Sequence, residues 1–150
     1  MIFMNIVYKL ATPADLRTVT ELGLLLHTEY SFEGLLDEYR QVMSDGNQVI
    51  FLALDDDKAV GFAHCSLRHD YVEGTSGGTI GYLEGIYVAP EYRLNGVAKA
   101  LVGEGERWAS GNGCAEFASD CLLDNTDGYK FHLKIGFKEA NRIICFTKDI

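Results

Sequence analysis

A mixed α/β layer, with an antiparallel front half and βα units behind it, is the fold class that this sequence predicts. Two observations carry it. Apolar residues alternate between helical spacing and β-rich runs in the order β-α-α-β-β-β-α-β-α-β. A chain of 150 residues that is 47% hydrophobic can also bury one core of ordinary size, and no tract reads as a linker. Residues 1–150 are therefore expected to form a single domain.

The run `NIVYKLA` is β-rich and stops at Thr12-Pro13-Ala14-Asp15, where Thr12 can cap, Pro13 suits the first helical position and Asp15 suits the positive helix end. The helix that follows runs to about Leu26, and Leu16, Val19, Leu22, Leu25 and Leu26 mark the face expected to be core. A second helix spans Ser31 to Ser44 and ends near Gly46. Glu29, Glu33 and Asp37 form one acidic stripe at its start, which fits a solvated face at least as well as a binding role.

The segment `QVIFLALDDDKAVGFAHCSLRHDYV` reads as two strands around the turn Asp55-Asp56-Asp57-Lys58. A loop, `EGTSGGT`, precedes a strand from about Ile80 to Val88. Val97, Ala98, Leu101, Val102, Gly105, Trp108 and Ala109 define one face of a helix from Gly96 to about Ser110, which `GNG` ends. `CAEFASD` is a short strand, and `NTDGYKFHLKI` is a short helix capped by Asn125 or Thr126. `GFKEANRIICFTKD` is expected to supply one or two closing strands.

A formal charge of −9 disfavours nucleic acid and anionic membranes as partners and favours a cationic ligand. No apolar run approaches the ~18 residues that span a bilayer. The stretch `MIFMNIVYKLATP` lacks a basic start and a cleavage site, so a cytoplasmic protein is expected. Cys65, Cys114, Cys121 and Cys145 are scattered without a CxxC pair or zinc-like spacing, so neither a metal nor a disulfide framework is expected.

The stretch `LEGIYVAPEYRLNGVAKALV` passes from strand to helix through a glycine-bearing turn. A helix N-terminus leaves backbone N–H groups without partners and carries partial positive charge, so a closely wrapped loop there can hold phosphate. Gly96 and Ala98 permit the approach, and Arg93 adds a full charge. The pattern is neither a Walker loop nor a GxGxxG fingerprint, which indicates another phosphate-bearing ligand.

With `RLNGVA` after the fourth strand, the chain resembles the GNAT superfamily of acetyl-CoA-dependent N-acetyltransferases, whose signature is Arg/Gln-x-x-Gly-x-Gly/Ala. `LEGIYVAPEYR`, `EFASD`, `LLDN` and `KIGFKEA` look more narrowly like a subgroup of bacterial aminoglycoside 6'-N-acetyltransferases. The resemblance implies an acyl-CoA N-acyltransferase fold, a central mixed sheet splayed between the fourth and fifth strands with helices on both faces. It further implies acetyl-CoA as co-substrate, an aminoglycoside 6'-amine as acceptor and a homodimer. Ile86, Tyr87 and Val88 would line the pantetheine arm, with Val88 N–H donating to the thioester oxygen. Arg93, Asn95, Gly96, Val97 and Ala98 would surround the pyrophosphate, and Asn125 would reach the cofactor from the next βα unit. The alternatives are a GNAT enzyme acting on a polyamine, peptide or protein amine, and a CoA-binding sensor without catalysis.

An ammonium has no lone pair, so acetyl transfer to an amine needs a group that removes a proton. Glu84 is a charge on a mostly apolar strand, read as sharing a face with Tyr82, Ile86 and Val88, and it is costly there unless paired or working. An ion pair with a neighbouring Arg or Lys is the rival reading. Asp120 closes the `EFASD` strand at its carboxyl end, where α/β sheets bind ligands, although an Asp there can also cap a turn. The resemblance places both acids, with Tyr71 and His27, around the amino-sugar; His27 can equally be a polar residue ending the first helix. His132 stands four residues before the Gly of Gly136-Phe137, where most of the superfamily carries a tyrosine acid. His64 and His69 show no partner pattern, and no chemistry is expected of them.

Overall fold

The computed structural model describes residues 4–150. Its elements follow in the order β1 (Ile6–Leu10), α1 (Leu16–Leu26), α2 (Phe32–Ser44), β2 (Gln48–Asp55), β3 (Lys58–Arg68), β4 (Ile80–Val88), α3 (Val97–Gly111), β5 (Phe117–Ser119) and α4 (Thr126–Lys134). The strands form one sheet in sequence order. Pairing is antiparallel from β1 to β4 and parallel between β4 and β5.

Helices cover both faces. Val97, Leu101 and Val102 of α3 pack on Ala63, Cys65, Leu83 and Val88, and Phe131, Ile135 and Phe137 join them from the rim. On the other face Val19 and Leu22 of α1 and Leu35, Tyr39 and Val42 of α2 close over Ile50, Leu52 and Phe62. The two helical pairs follow from the 3.6-residue spacing, because each apolar stripe must be buried against an equally apolar strand face.

Local chemistry sets the helix starts. Thr12 N–H donates to the Asp15 carboxylate at 2.8 Å across a 3-10 turn at Pro13–Asp15. Ser31 Oγ accepts from Gly34 N–H at 3.1 Å, a cap worth ~1 kcal/mol. Asn125 Oδ1 does the same for Gly128 N–H at 2.9 Å. Gly23 is required by close approach, since a Cβ there would lie 2.6 Å from the Tyr39 ring and hydroxyl.

Three expectations change, and the acidic stripe takes the solvated one of its two readings. Leu25 and Leu26 are exposed, because the last turn of α1 overhangs β4 at Gly85, where Leu26 Cδ2 lies 3.4 Å from the position of an added Cβ. The acidic stripe is solvated: Glu29, Glu33 and Asp37 are exposed, and Asp37 accepts from Arg40.

Glu84 does not share a face with Ile86 and Val88. The register slips between His64–Gly85 and Cys65–Leu83, leaving Glu84 as a bulged extra residue. Leu83, Ile86 and Val88 consequently pack toward α3, while Glu84 lines the space beside α1 and α2.

Residues 138–150 form no strand. Their β-rich pattern finds no neighbour among the described residues to supply ladder hydrogen bonds, and Ile144 and Phe146 are 80% and 88% exposed.

Candidate active site

A fork opens in the sheet. β4 and β5 pair over Gly81–Leu83 and Phe117–Ser119 alone, so the edge from Glu84 to Val88 has no strand beside it among the described residues. Ala89 N–H donates to Val60 O at 2.8 Å, toward β3. By alternation the Val88 N–H and carbonyl turn the other way, into the fork. The Val88 carbonyl accepts from Arg93 Nε at 2.7 Å, which leaves the N–H free to donate.

The turn after the fork is built for an anion. Leu94 and Gly96 take φ values of 63° and 81°, a left-handed conformation that comes easily to glycine. Ala100 N–H makes the first helical bond, to Gly96 O, so the N–H groups of Val97, Ala98 and Lys99 lack helical acceptors. A Cβ at Gly96 would meet nothing within 4 Å, which is the open approach that a pyrophosphate needs. Asn95 turns its amide back onto the Arg93 carbonyl at 2.8 Å, so its side chain shapes the loop. Asn125 is occupied likewise as the α4 cap.

His132 and Ser119 meet at the base of the fork. Gly128 O, a pure acceptor, lies 2.6 Å from His132 Nδ1, which therefore carries the ring proton in the neutral form. Nε2 then accepts from the Ser119 hydroxyl at 2.8 Å. A neutral ring in this tautomer has its lone pair engaged by Ser119 and no proton to give to the fork.

The two acids belong to one network. Glu84 accepts from Ser66 Oγ at 2.6 Å and from Arg68 Nε and Nη2 at 3.0 and 2.8 Å. The Arg68 guanidinium carbon stacks 3.4 Å over the Tyr82 ring, and the Tyr82 hydroxyl donates to Asp120. Burial and then the Asp120 carboxylate push the Tyr82 phenol up. Glu84 thus has the ion pair of the rival reading and also faces a cavity. Ser66, Arg68 and Tyr82 were missed in the sequence, although Ser66 and Arg68 alternate on a strand that a meander lays beside Glu84.

That cavity, about 130 Å³, is walled by His27, Tyr30, Glu38, Tyr39, His64 and Glu84. His27 Nε2 reaches within 3.8 Å of the place a Cβ would take at Gly85. Glu38, not the stripe before it, is the acid of α2 at the rim of this cavity, and its carboxylate beside Tyr30 raises that phenol. Tyr71 stays outside at 75% exposure, its hydroxyl 3.4 Å from Glu73. His69 ties its loop together through Thr79 and Asn47. Cys65 is buried, and burial, with Glu84 adding, pushes its thiol up to about 12, so it offers no thiolate. Among the described residues no group of three His, Cys, Asp or Glu could hold a metal.

Residues 16–137 match the acetyltransferase (GNAT) family. An aminoglycoside N(6')-acetyltransferase type 1 of Acinetobacter haemolyticus is 38% identical over 147 residues, covering 98% of this chain and 99% of that protein. A Salmonella typhimurium protein of the same name is 41% identical over 113 residues, 71% of this chain and 78% of its own. Among solved structures, an aminoglycoside N-acetyltransferase in complex with CoA superposes with a TM-score of 0.96 at 32% identity, covering 99% of this chain and 98% of that one. The same enzyme in complex with a bisubstrate analogue, CoA-S-monomethyl-acetylneamine, gives a TM-score of 0.94 at 33% identity, covering 97% and 99%.

Proposed function

The chain belongs to the acetyltransferase (GNAT) family, and on that premise we propose that it transfers acetyl from acetyl-CoA to the 6'-amine of an aminoglycoside antibiotic, conferring resistance. The observation that carries this reading is the fork with its anion-binding turn on one side and the Glu84–Arg68–Tyr82–Asp120 network on the other. An aminoglycoside carries several ammonium groups, and several carboxylates suit it.

The N–H groups of Val97 and Ala98, with Gly96 and Arg93, hold the pyrophosphate, while Asn95 shapes the loop and Asn125 presents the start of α4 to the cofactor. Ile86, Tyr87 and Val88 line the pantetheine arm as a neighbouring strand would. Val88 N–H donates to the thioester oxygen as negative charge develops on it. Glu84 and Asp120 hold and orient the acceptor, with His27 at the cavity wall and Tyr71 at its outer approach. The amine attacks the thioester carbon directly. The thiol of CoA, like free cysteine with a pKa of ~8.5, leaves tolerably near neutrality, so His132 has a supporting role.

Turnover measured by thiol release should be seen with acceptors bearing a 6'-amine and not with analogues bearing only a 6'-hydroxyl, product NMR locating the acetyl group. Acetylation of spermidine or a peptide alone would sink the aminoglycoside assignment, and CoA binding without turnover would indicate a sensor.

The active chain is one acetyltransferase domain, cytoplasmic, and a homodimer. Support for the dimer comes from the exposed Ile143, Ile144 and Phe146 in a segment with strand-like composition and no partner strand among the described residues. A second copy can supply that partner, and a two-fold axis satisfies both copies at once. Sedimentation should give a dimer that truncation after Phe137 reduces to monomer; a full-length monomer at high micromolar concentration would refute this.

A further inference from the structure

Tyr30, Glu38, Tyr39 and His64 wall the cavity between α1, α2 and β4 and take no part in the mechanism above. The His64 tautomer follows from a chain of hydrogen bonds. Gln48 Nε2 donates to Asp45 Oδ2 at 2.7 Å, which turns Gln48 Oε1 toward the imidazole. That oxygen only accepts, so His64 Nε2, 2.8 Å away, carries the proton. Nδ1 holds the lone pair and has no partner among the described residues.

Tyr39 supplies a second, independent observation. It is 2% exposed, and its hydroxyl is the one buried side-chain polar atom without a hydrogen-bond partner among the described residues. Its ring meets His64 edge-on at 6.3 Å between centroids. An imidazole lone pair in a cavity walled by the Glu38 and Glu84 carboxylates is a seat for a group that donates hydrogen bonds, as an ammonium does.

We propose that this cavity seats the reacting amine of the acceptor and that His64 Nδ1 is the base that takes its proton. The inference rests on the acetyl-transfer reading above. Glu84 is engaged by Ser66 and Arg68, so it supplies charge and orientation, while the lone pair left facing the amine belongs to His64. His64 pairs across the sheet with Gly85, beside the strand edge that faces the fork.

The groups facing His64 are His27 at the end of α1, Tyr30 in the following turn, Glu38 and Tyr39 of α2, Gln48 of β2, and Glu84 of β4 with Arg68 behind it. Burial holds the imidazole below its ordinary range, opposed in part by Glu84 and Glu38. It therefore stays neutral, with its lone pair free to accept a proton, where an ordinary histidine begins to charge.

In the step itself the ammonium gives one proton to Nδ1. The freed nitrogen lone pair forms the bond to the acetyl carbon, the C–S bond breaks with its pair staying on sulfur, and a second proton from nitrogen passes to the thiolate. His64 then returns its proton to solvent.

The test compares wild type, His64→Gln and Gln48→Glu across pH with a 6'-amino acceptor, CoA affinity being measured separately by calorimetry. His64→Gln is expected to lower kcat about a hundredfold, remove the acid limb of kcat/KM and leave CoA affinity unchanged. Gln48→Glu places a carboxylate against Nε2–H, favours the imidazolium and should move that limb to higher pH. An acid limb retained in His64→Gln, or unmoved in Gln48→Glu, overturns the assignment. The second variant decides the matter if the first does not fold. Wild type that binds CoA but turns over no 6'-amine would instead overturn the acetyl-transfer reading itself.

Discussion

Gly96→Val is expected to weaken CoA binding by about a hundredfold or more, the scale of losing a buried charge-assisted contact. Two effects act in the same direction. The position has φ 81°, where a β-branched residue is strained, so the turn that aims the N–H groups of Val97 and Ala98 is distorted. Nothing within 4 Å would touch the new Cβ, so the side chain stands in the open approach to the helix N-terminus, where a pyrophosphate must lie. Arg93→Ala should cost less, about tenfold, by removing a surface charge-assisted bond. It should also lower kcat, because Arg93 Nε clamps the Val88 carbonyl and so holds the neighbouring N–H in the fork. Calorimetry with CoA on folded variants checks both; an unchanged dissociation constant for Gly96→Val would remove the phosphate site from this turn.

Glu84→Gln and Asp120→Asn are each expected to lower kcat/KM for the amine by about a hundredfold while leaving CoA affinity within about twofold, since a charge pair truncated on one side leaves its partner uncompensated. Each substitution keeps shape and removes a negative charge. In Glu84→Gln the Arg68 guanidinium stays stacked on Tyr82 without its counter-ion, adding a repulsive positive charge where an ammonium must dock. In Asp120→Asn the Tyr82 hydroxyl keeps an acceptor but the acid side of the network loses its charge. The two should also combine less than additively, because one Arg68–Tyr82 stack joins them. If loss of Glu84 disturbs orientation of the amine, kcat falls, whereas loss of steering alone raises KM. Steady-state kinetics at wild-type levels in both variants would refute their placement on the acceptor side.

Much of the site was legible because its signals are local. The turn Arg93–Ala98 joins a strand to a helix within one short segment, and its residue types alone mark a closely wrapping glycine turn with free helix N–H groups behind it. Asn125 could be read as a cap for the same reason. Tyr71 is the weakest of the site residues on geometry, since it extends from an irregular loop with Glu73 as its hydrogen-bond partner. His64, set aside in the sequence for want of a partner pattern, gains its partner from Gln48, 16 residues away on the neighbouring strand.

By itself the sequence determined the order of elements as far as α4, the helix starts at Thr12, Ser31 and Asn125, and the phosphate turn, because periodicity, capping and turn chemistry act within a few residues along the chain. Tertiary structure decided what depends on register between strands. A single bulge opposite His64 and Cys65 turned Glu84 away from Ile86 and Val88 and toward Arg68 and the cavity, and side-chain alternation cannot reveal where such an extra residue falls. The Ser119–His132 pair and the place of Glu38 at the cavity rim arise likewise from packing between elements far apart in sequence. The closing strand expected after Gly136 shows the same division, since residue composition supplies the propensity to pair and the presence of a partner edge decides whether a strand forms.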